Sequence, residues 1–393
     1  MSRHVQDGGS QSAFETLVDE LLLVPGPVPL APAVLEELSR PALPHYGRAW
    51  VDAYHEIESL LRYTFDTAKG DVFPIVGPGH LGLETLASTF LRAGERAVVV
   101  NNGFFGERHV EVLKAHHLKV ADIRSPWGKG PDVRKVRAAL KRGARVLAVV
   151  HNETSTGLTN PLEELVEMAH EHDAFVMVDA VSSLGCIPLP FDEWKVDAVF
   201  TASQKGIGGP AGFAPLCVAP ALFESVKPKQ VQGWYTNLFT WRHYRETWGK
   251  WHPQPTTISS NLFYAFRRAL QLVKAEGLEA RIRRHRAYAA AFRAGAGMLG
   301  FRPISPPEMV SNTVGCVTPP AGMATDEVQD RLRTEHSIYI SGGLGPLHGK
   351  VLRIGMMATQ ATREVLERLL PAMAAVTGQK AERSLNAARA LVR

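Results

Sequence analysis

The chain has 393 residues, 45% of them hydrophobic and 21% charged, with a formal net charge of +5. That length suggests about two domains of ordinary soluble composition. No apolar run reaches the roughly 18 residues that cross a bilayer, and MSRHVQDGGSQSAFETLVDE lacks a signal peptide's apolar core, so a cytoplasmic protein is expected.

Residues 1–45 read as an N-terminal segment that wraps across both domains. Residues 46–260 read as a large α/β domain. Within it, Gly77-Pro78-Gly79-His80 opens the helical run LGLETLASTFLRAG. The runs RAVVVNN (96–102), RVLAVVH (145–151), AFVMVDA (174–180) and DAVFTAS (197–203) are short and rich in Val, Ala and Phe. Amphipathic stretches such as PLEELVEMAHEHD (161–173) separate them. This is the rhythm of a mostly parallel sheet covered on both faces, whose ligands bind at the carboxyl ends of its strands. Residues 261–378 read as a linking helix, 261–300, and a small C-terminal α+β domain. TVGCVT (313–318), HSIYIS (336–341) and KVLRIG (350–355) are its expected sheet, and 326–336 and 362–377 its covering helices. Residues 379–393 read as a basic, solvated tail rather than a nucleic-acid grip. Cys186, Cys217 and Cys316 form no CxxC pair, so they read as buried thiols and no metal site is expected.

Three features at expected strand ends carry chemistry. A glycine-rich turn at Gly79 and His80 presents free backbone N–H groups to a phosphate, unless it is merely an ordinary helix start. Asp179 ends a buried strand, where a carboxylate is costly unless paired. It could serve a metal, an acid step or a cofactor, or cap the next turn. Lys205 follows Ser203-Gln204 and precedes the glycine-rich 206–212. A dinucleotide loop is rejected there, because the Lys precedes the glycines and Pro210 falls where the helix should begin. Together the three suit pyridoxal phosphate, whose aldehyde condenses with a lysine and whose ring nitrogen pairs with a carboxylate.

At these residues the sequence also resembles the class V, fold-type I aminotransferases, specifically the alanine–glyoxylate and serine–pyruvate group. VDAVSSLG (178–185), SQKGIGGPAG (203–212), HNETSTG (151–157) and SGGLGPLHGKVLRIG (341–355) carry the resemblance. It implies a large domain with a mostly parallel seven-stranded sheet, a small C-terminal α+β domain and a homodimer with shared active sites. It implies that Lys205 forms the Schiff base and Asp179 pairs with the ring nitrogen. Val181 would lie beneath the ring and Phe105 would stack on it, with Thr154 nearby. Gly79, His80 and Gln204 would hold the phosphate, joined by Thr257 from the other subunit. Arg353 would clamp the substrate carboxylate beside Gly26. The implied activity is ping-pong transfer of an amino group from alanine or serine to glyoxylate or pyruvate.

Two departures stand out. Pro78 replaces a serine that helps hold the phosphate in many relatives, and the segment around 248–253 does not match the better-known members. His45 and Tyr46 could line the site, while His151 reads as a core residue. The tryptophans at 234, 241, 248 and 251 read as packing or dimer interface. The rival readings are a class V lyase with a cysteine nucleophile and a binding protein that keeps the fold without catalysis. Neither membrane nor nucleic acid is an expected partner.

Overall fold

The computed structural model describes residues 20–392. The first nineteen residues, which carry most of the signal-peptide reading and part of the N-terminal segment, lie outside the described residues, as does Arg393.

Seven strands form the central sheet. They are β1 (Asp71–Val76), β2 (Arg96–Asn101), β3 (Lys119–Arg124), β4 (Val146–Val150), β5 (Phe175–Asp179), β6 (Ala198–Phe200) and β7 (Phe213–Val218). Their spatial order is β1-β7-β6-β5-β4-β2-β3. All pairings are parallel except those of β7, which runs antiparallel to β1 and β6. The mostly parallel seven-stranded sheet is therefore present.

Alternating residues of each strand feed two cores. Val98, Val100, Leu147, Val149, Val176 and Val178 face one layer of helices, α1 (Arg48–Thr64), α4 (Val133–Leu140), α5 (Leu162–His170) and α6 (Ser260–Glu276). Ala97, Val99, Val146, Ala148, Phe175 and Met177 face α2 (Gly79–Phe90) and α3 (Phe104–Ala115) on the other. Burial on both faces is why these strands read as unbroken apolar runs. Each large side chain so buried contributes about 1.5–3 kcal/mol.

The expected long helix 261–300 is two helices. Gly277, at φ +84°, ends α6 and starts α7 (Leu278–Met298). A left-handed residue cannot continue a helix, and glycine takes that conformation without a Cβ clash. Beyond α7, β8 (Arg302–Pro303), β9 (Val314–Thr318), β10 (Ser341–Gly342) and β11 (Leu352–Gly355) form a small sheet in the order β8-β9-β11-β10. Helices α8 (Thr325–His336) and α9 (Arg363–Val376) complete a third core with α7.

Two expectations need correction. Ile338–Tyr339 do not join the small sheet but pair in parallel with Leu21–Leu22 of the N-terminal segment. The basic tail is not simply solvated. It forms α10 (Glu382–Arg389), which buries Ser384 and Ala388, and Ser384 Oγ donates to Gly295 O of α7 at 2.9 Å. Its small residues let it pack closely while its charged ones face outward. The N-terminal segment contacts both parts: Leu23 enters the small core and Val34 the large one. Among the described residues, no helix is long and apolar enough to cross a membrane.

Candidate active site

The carboxyl ends of β1, β4, β5 and β6 converge on a cavity of about 210 Å³. Gly79, His80, Phe105, Thr154, Asp179, Val181, Gln204 and Lys205 all line it, joined by Val150, Asn152, Phe200 and Ala202. Eight of the residues expected from the sequence thus meet in one place.

Lys205 lies not at the strand end itself but in a short π-helical turn, Ser203–Ile207, after β6. Its own backbone leaves the helical region, at φ −116° and ψ −125°. The buried guanidinium of Arg281 donates to the next carbonyl, Gly206 O, at 2.7 Å and anchors that turn to α7. Lys205 Nζ donates to Pro25 O at 2.5 Å and Gly26 O at 3.1 Å. Burial, with the charge of Arg353 adding to it, brings its pKa down to about 8. At Gly26, with φ +80°, a Cβ would lie 2.3 Å from Lys205 Cδ, so a side chain there would displace the lysine.

Asp179 ends β5 and is nearly buried. Its Oδ1 accepts from Val181 N at 2.8 Å, and its Oδ2 is 3.5 Å from His109 Nε2. Thr154 Oγ1 donates to Ser182 Oγ, and Ser182 Oγ donates to Asn152 O, both at 2.8 Å. This chain of hydroxyls fixes the loop after β4.

Two helix starts border the cavity. At α2 the N-cap is Pro78, and no side chain caps the first turn. At α3 the N-cap is Gly103, and the wholly buried Glu153 accepts from Phe105 N at 3.1 Å and Gly106 N at 3.0 Å. Burial pushes the Glu153 carboxyl up, against hydrogen bonds from Ser155, Gly106 and Phe105 that pull it down. The sequence reading passed over Glu153 and His109. The single acid inside the polar, hydroxyl-rich HNETSTG was the available signal for the first; the second carried none.

Arg353 and Thr257 do not line this cavity. Arg353, on β11, is buried and borders a separate opening of about 410 Å³ with Gly342 and His348. Its Nε donates to Gly342 O at 2.8 Å, and among the described residues its guanidinium has no carboxylate within ion-pair distance. Its charge nonetheless acts on Lys205. Thr257 is exposed and pairs with His45 at 3.3 Å. His45 and Tyr46 gather with Trp251 and His252 away from the cavity lining. Trp241 is buried, whereas Trp234, Trp248 and Trp251 are about half exposed. All three cysteines are buried and unpaired. Burial pushes the Cys316 thiol up to about 12, which makes it a poor nucleophile. His151 is buried, and its pKa falls to about 4 by desolvation.

Pyridoxal phosphate fits these residues. Gln204, whose side-chain amide nitrogen can donate to a phosphate, lines the cavity together with Gly79 and His80 of an uncapped helix start. A buried carboxylate, Asp179, and a half-buried lysine, Lys205, line the same cavity. An uncapped helix N-terminus suits a phosphate, and a carboxylate suits a protonated ring nitrogen.

The family model for class-V aminotransferases matches residues 37–369. An aminotransferase of Methanocaldococcus jannaschii is 32% identical over 355 residues, covering 90% of this chain and 91% of the relative. The solved alanine–glyoxylate aminotransferase of Nostoc superposes with a TM-score of 0.86 at 32% identity, covering 91% of this chain and 95% of that one. The ureidoglycine–glyoxylate aminotransferase of Bacillus subtilis gives 0.87 at 29% identity, covering 95% and 98%.

Proposed function

The chain belongs to the class-V aminotransferases, and we propose that it moves the amino group of a small amino acid, alanine or serine, to glyoxylate or pyruvate with pyridoxal phosphate as cofactor. What supports this reading most is the cavity lined by Gly79, His80, Phe105, Thr154, Asp179, Val181, Gln204 and Lys205. The alanine donor and glyoxylate acceptor follow the similarity to the Nostoc protein.

Bound there, pyridoxal phosphate supplies an aldehyde for condensation with amines and a ring that takes up the electrons released at the substrate Cα. Lys205 Nζ would hold the cofactor through its aldehyde carbon. Its free amine would take the proton from the substrate Cα and return it as the amino group is passed on. A pKa near 8 leaves an appreciable fraction of that amine unprotonated at neutral pH. Asp179 would pair with the ring nitrogen, and Phe105 and Val181 would enclose the ring. The first N–H groups of α2 and the amide N–H of Gln204 would hold the phosphate. Arg353 orients the substrate α-carboxylate through its planar guanidinium. Thr257 serves the neighbouring cavity of a homodimer.

The test is a half-reaction screen. The cofactor-loaded protein is mixed with each amino acid, and the loss of its visible absorbance is followed together with the 2-oxo acid released. Alanine or serine is expected to bleach the band fastest and release pyruvate or hydroxypyruvate. A band that no amino acid alters contradicts the proposal.

A further inference from the structure

His109 lies one helical turn beyond Phe105 on α3, so the two side chains share a face of that helix. It is 1% exposed, and neither ring nitrogen has a hydrogen-bond partner among the described residues. Such a group has lost its water and gained nothing in exchange, which calls for a reason. Its Nε2 is 3.5 Å from Asp179 Oδ2, within ion-pair range but longer than a good hydrogen bond. The ring of Phe200, with its centroid 5.9 Å away, packs beside it. Asp179 is already fixed at Oδ1 by Val181 N. Its Oδ2 is therefore the oxygen within reach of the imidazole.

We propose that His109 is a positioning residue that donates from Nε2 to Asp179 Oδ2, fixing the carboxylate where it faces the cofactor's ring nitrogen. This rests on the cofactor reading given above. An ionised carboxylate offers about four lone-pair sites, enough to accept from Val181 N, an imidazole and a pyridinium together. His109 acts through Asp179 and does not touch the substrate. One rigid helix thus carries both the aromatic residue for the ring face and the support for the ring-nitrogen partner.

The experiment compares wild type, His109→Phe and His109→Gln as cofactor-free proteins. Phenylalanine fills the ring's space without a donor; glutamine retains one. Two readouts are taken: the Kd for pyridoxal phosphate, and the 15N chemical shift of its isotopically labelled ring nitrogen. The Phe variant is expected to bind the cofactor about 10-fold more weakly, the scale on which loss of an orienting outer partner acts. Its ring-nitrogen shift should move toward that of neutral pyridine, while the Gln variant stays near wild type in both. His109→Met supplies a second apolar variant if the Phe protein does not fold. An apolar variant with wild-type Kd and shift overturns the proposal, as does a Gln variant as impaired as the apolar one. Failure of the wild type to bind pyridoxal phosphate overturns instead the cofactor reading beneath it.

Discussion

Helices α2 and α3 begin at the same edge of the same sheet, and both follow a glycine turn, yet their first turns are used in opposite ways. The start of α3 is closed by the chain itself: Ser155 Oγ accepts from Phe104 N, and the Glu153 carboxylate accepts from Phe105 N and Gly106 N. The start of α2 has no side-chain cap, and its Gly79 and His80 face the cavity. A helix N-terminus attracts negative charge whether the charge belongs to the protein or to a ligand. Where the chain supplies the carboxylate, the result is a fixed Phe105. Where it does not, the first turn is left open to the cavity.

Three substitutions probe this contrast. Glu153→Ala leaves buried N–H groups without an acceptor and should destabilise the protein by about 3 kcal/mol, measured by urea unfolding. The penalty should vary with pH. Because burial raises the Glu153 pKa, the folded chain binds that proton more tightly than the unfolded chain. The wild-type residue's contribution is therefore greatest in acid and declines as pH rises through the folded value. The Glu153→Ala penalty should accordingly be larger in mild acid than at neutral pH; a penalty that grows with pH would contradict the assignment. Gly79→Val acts at the open helix start, where a Cβ already comes within 3.1 Å of Ala202 Cβ. It should weaken pyridoxal phosphate binding by roughly 10-fold, about 1.4 kcal/mol, in a titration of the cofactor-free protein. Unchanged affinity would remove the phosphate from α2. The smallest effect belongs to Pro78→Ser, which adds a hydroxyl at the N-cap and should tighten cofactor binding about threefold.

The same two helices show what could be read in the sequence. Strands β2, β4, β5 and β6 were legible because both their faces are buried, and their ends pointed to Asp179 and Lys205. β3, KVADIR, was not: it is an edge strand, half buried, with charges at both ends. β1 and β7 were obscured by Pro74 and Pro215. These stand opposite each other in the ladder, where both strands lack an N–H. The glycine turn before α2 could be read as an open helix start suited to a phosphate or as an ordinary helix entry, and the helix start is uncapped. Glu153 and His109 did not announce themselves, because burial by tertiary packing gives them their meaning, and a local pattern shows an ordinary acid and an ordinary helix histidine. The short basic helix at the C-terminal end could be read from the sequence, but its packing could not, since two small residues, Ser384 and Ala388, make its buried face. For Arg353 and Thr257 the resemblance gave roles, the second from the other subunit, and neither side chain lines the cavity.

The most direct test concerns Lys205. The cofactor-loaded protein is treated with borohydride, which makes the lysine–cofactor bond permanent, then digested and mapped by mass spectrometry. The prediction is a single modified lysine, Lys205, the residue whose Nζ now reaches Pro25 O and Gly26 O. Modification of another lysine, or none in a protein that still transaminates, would contradict it.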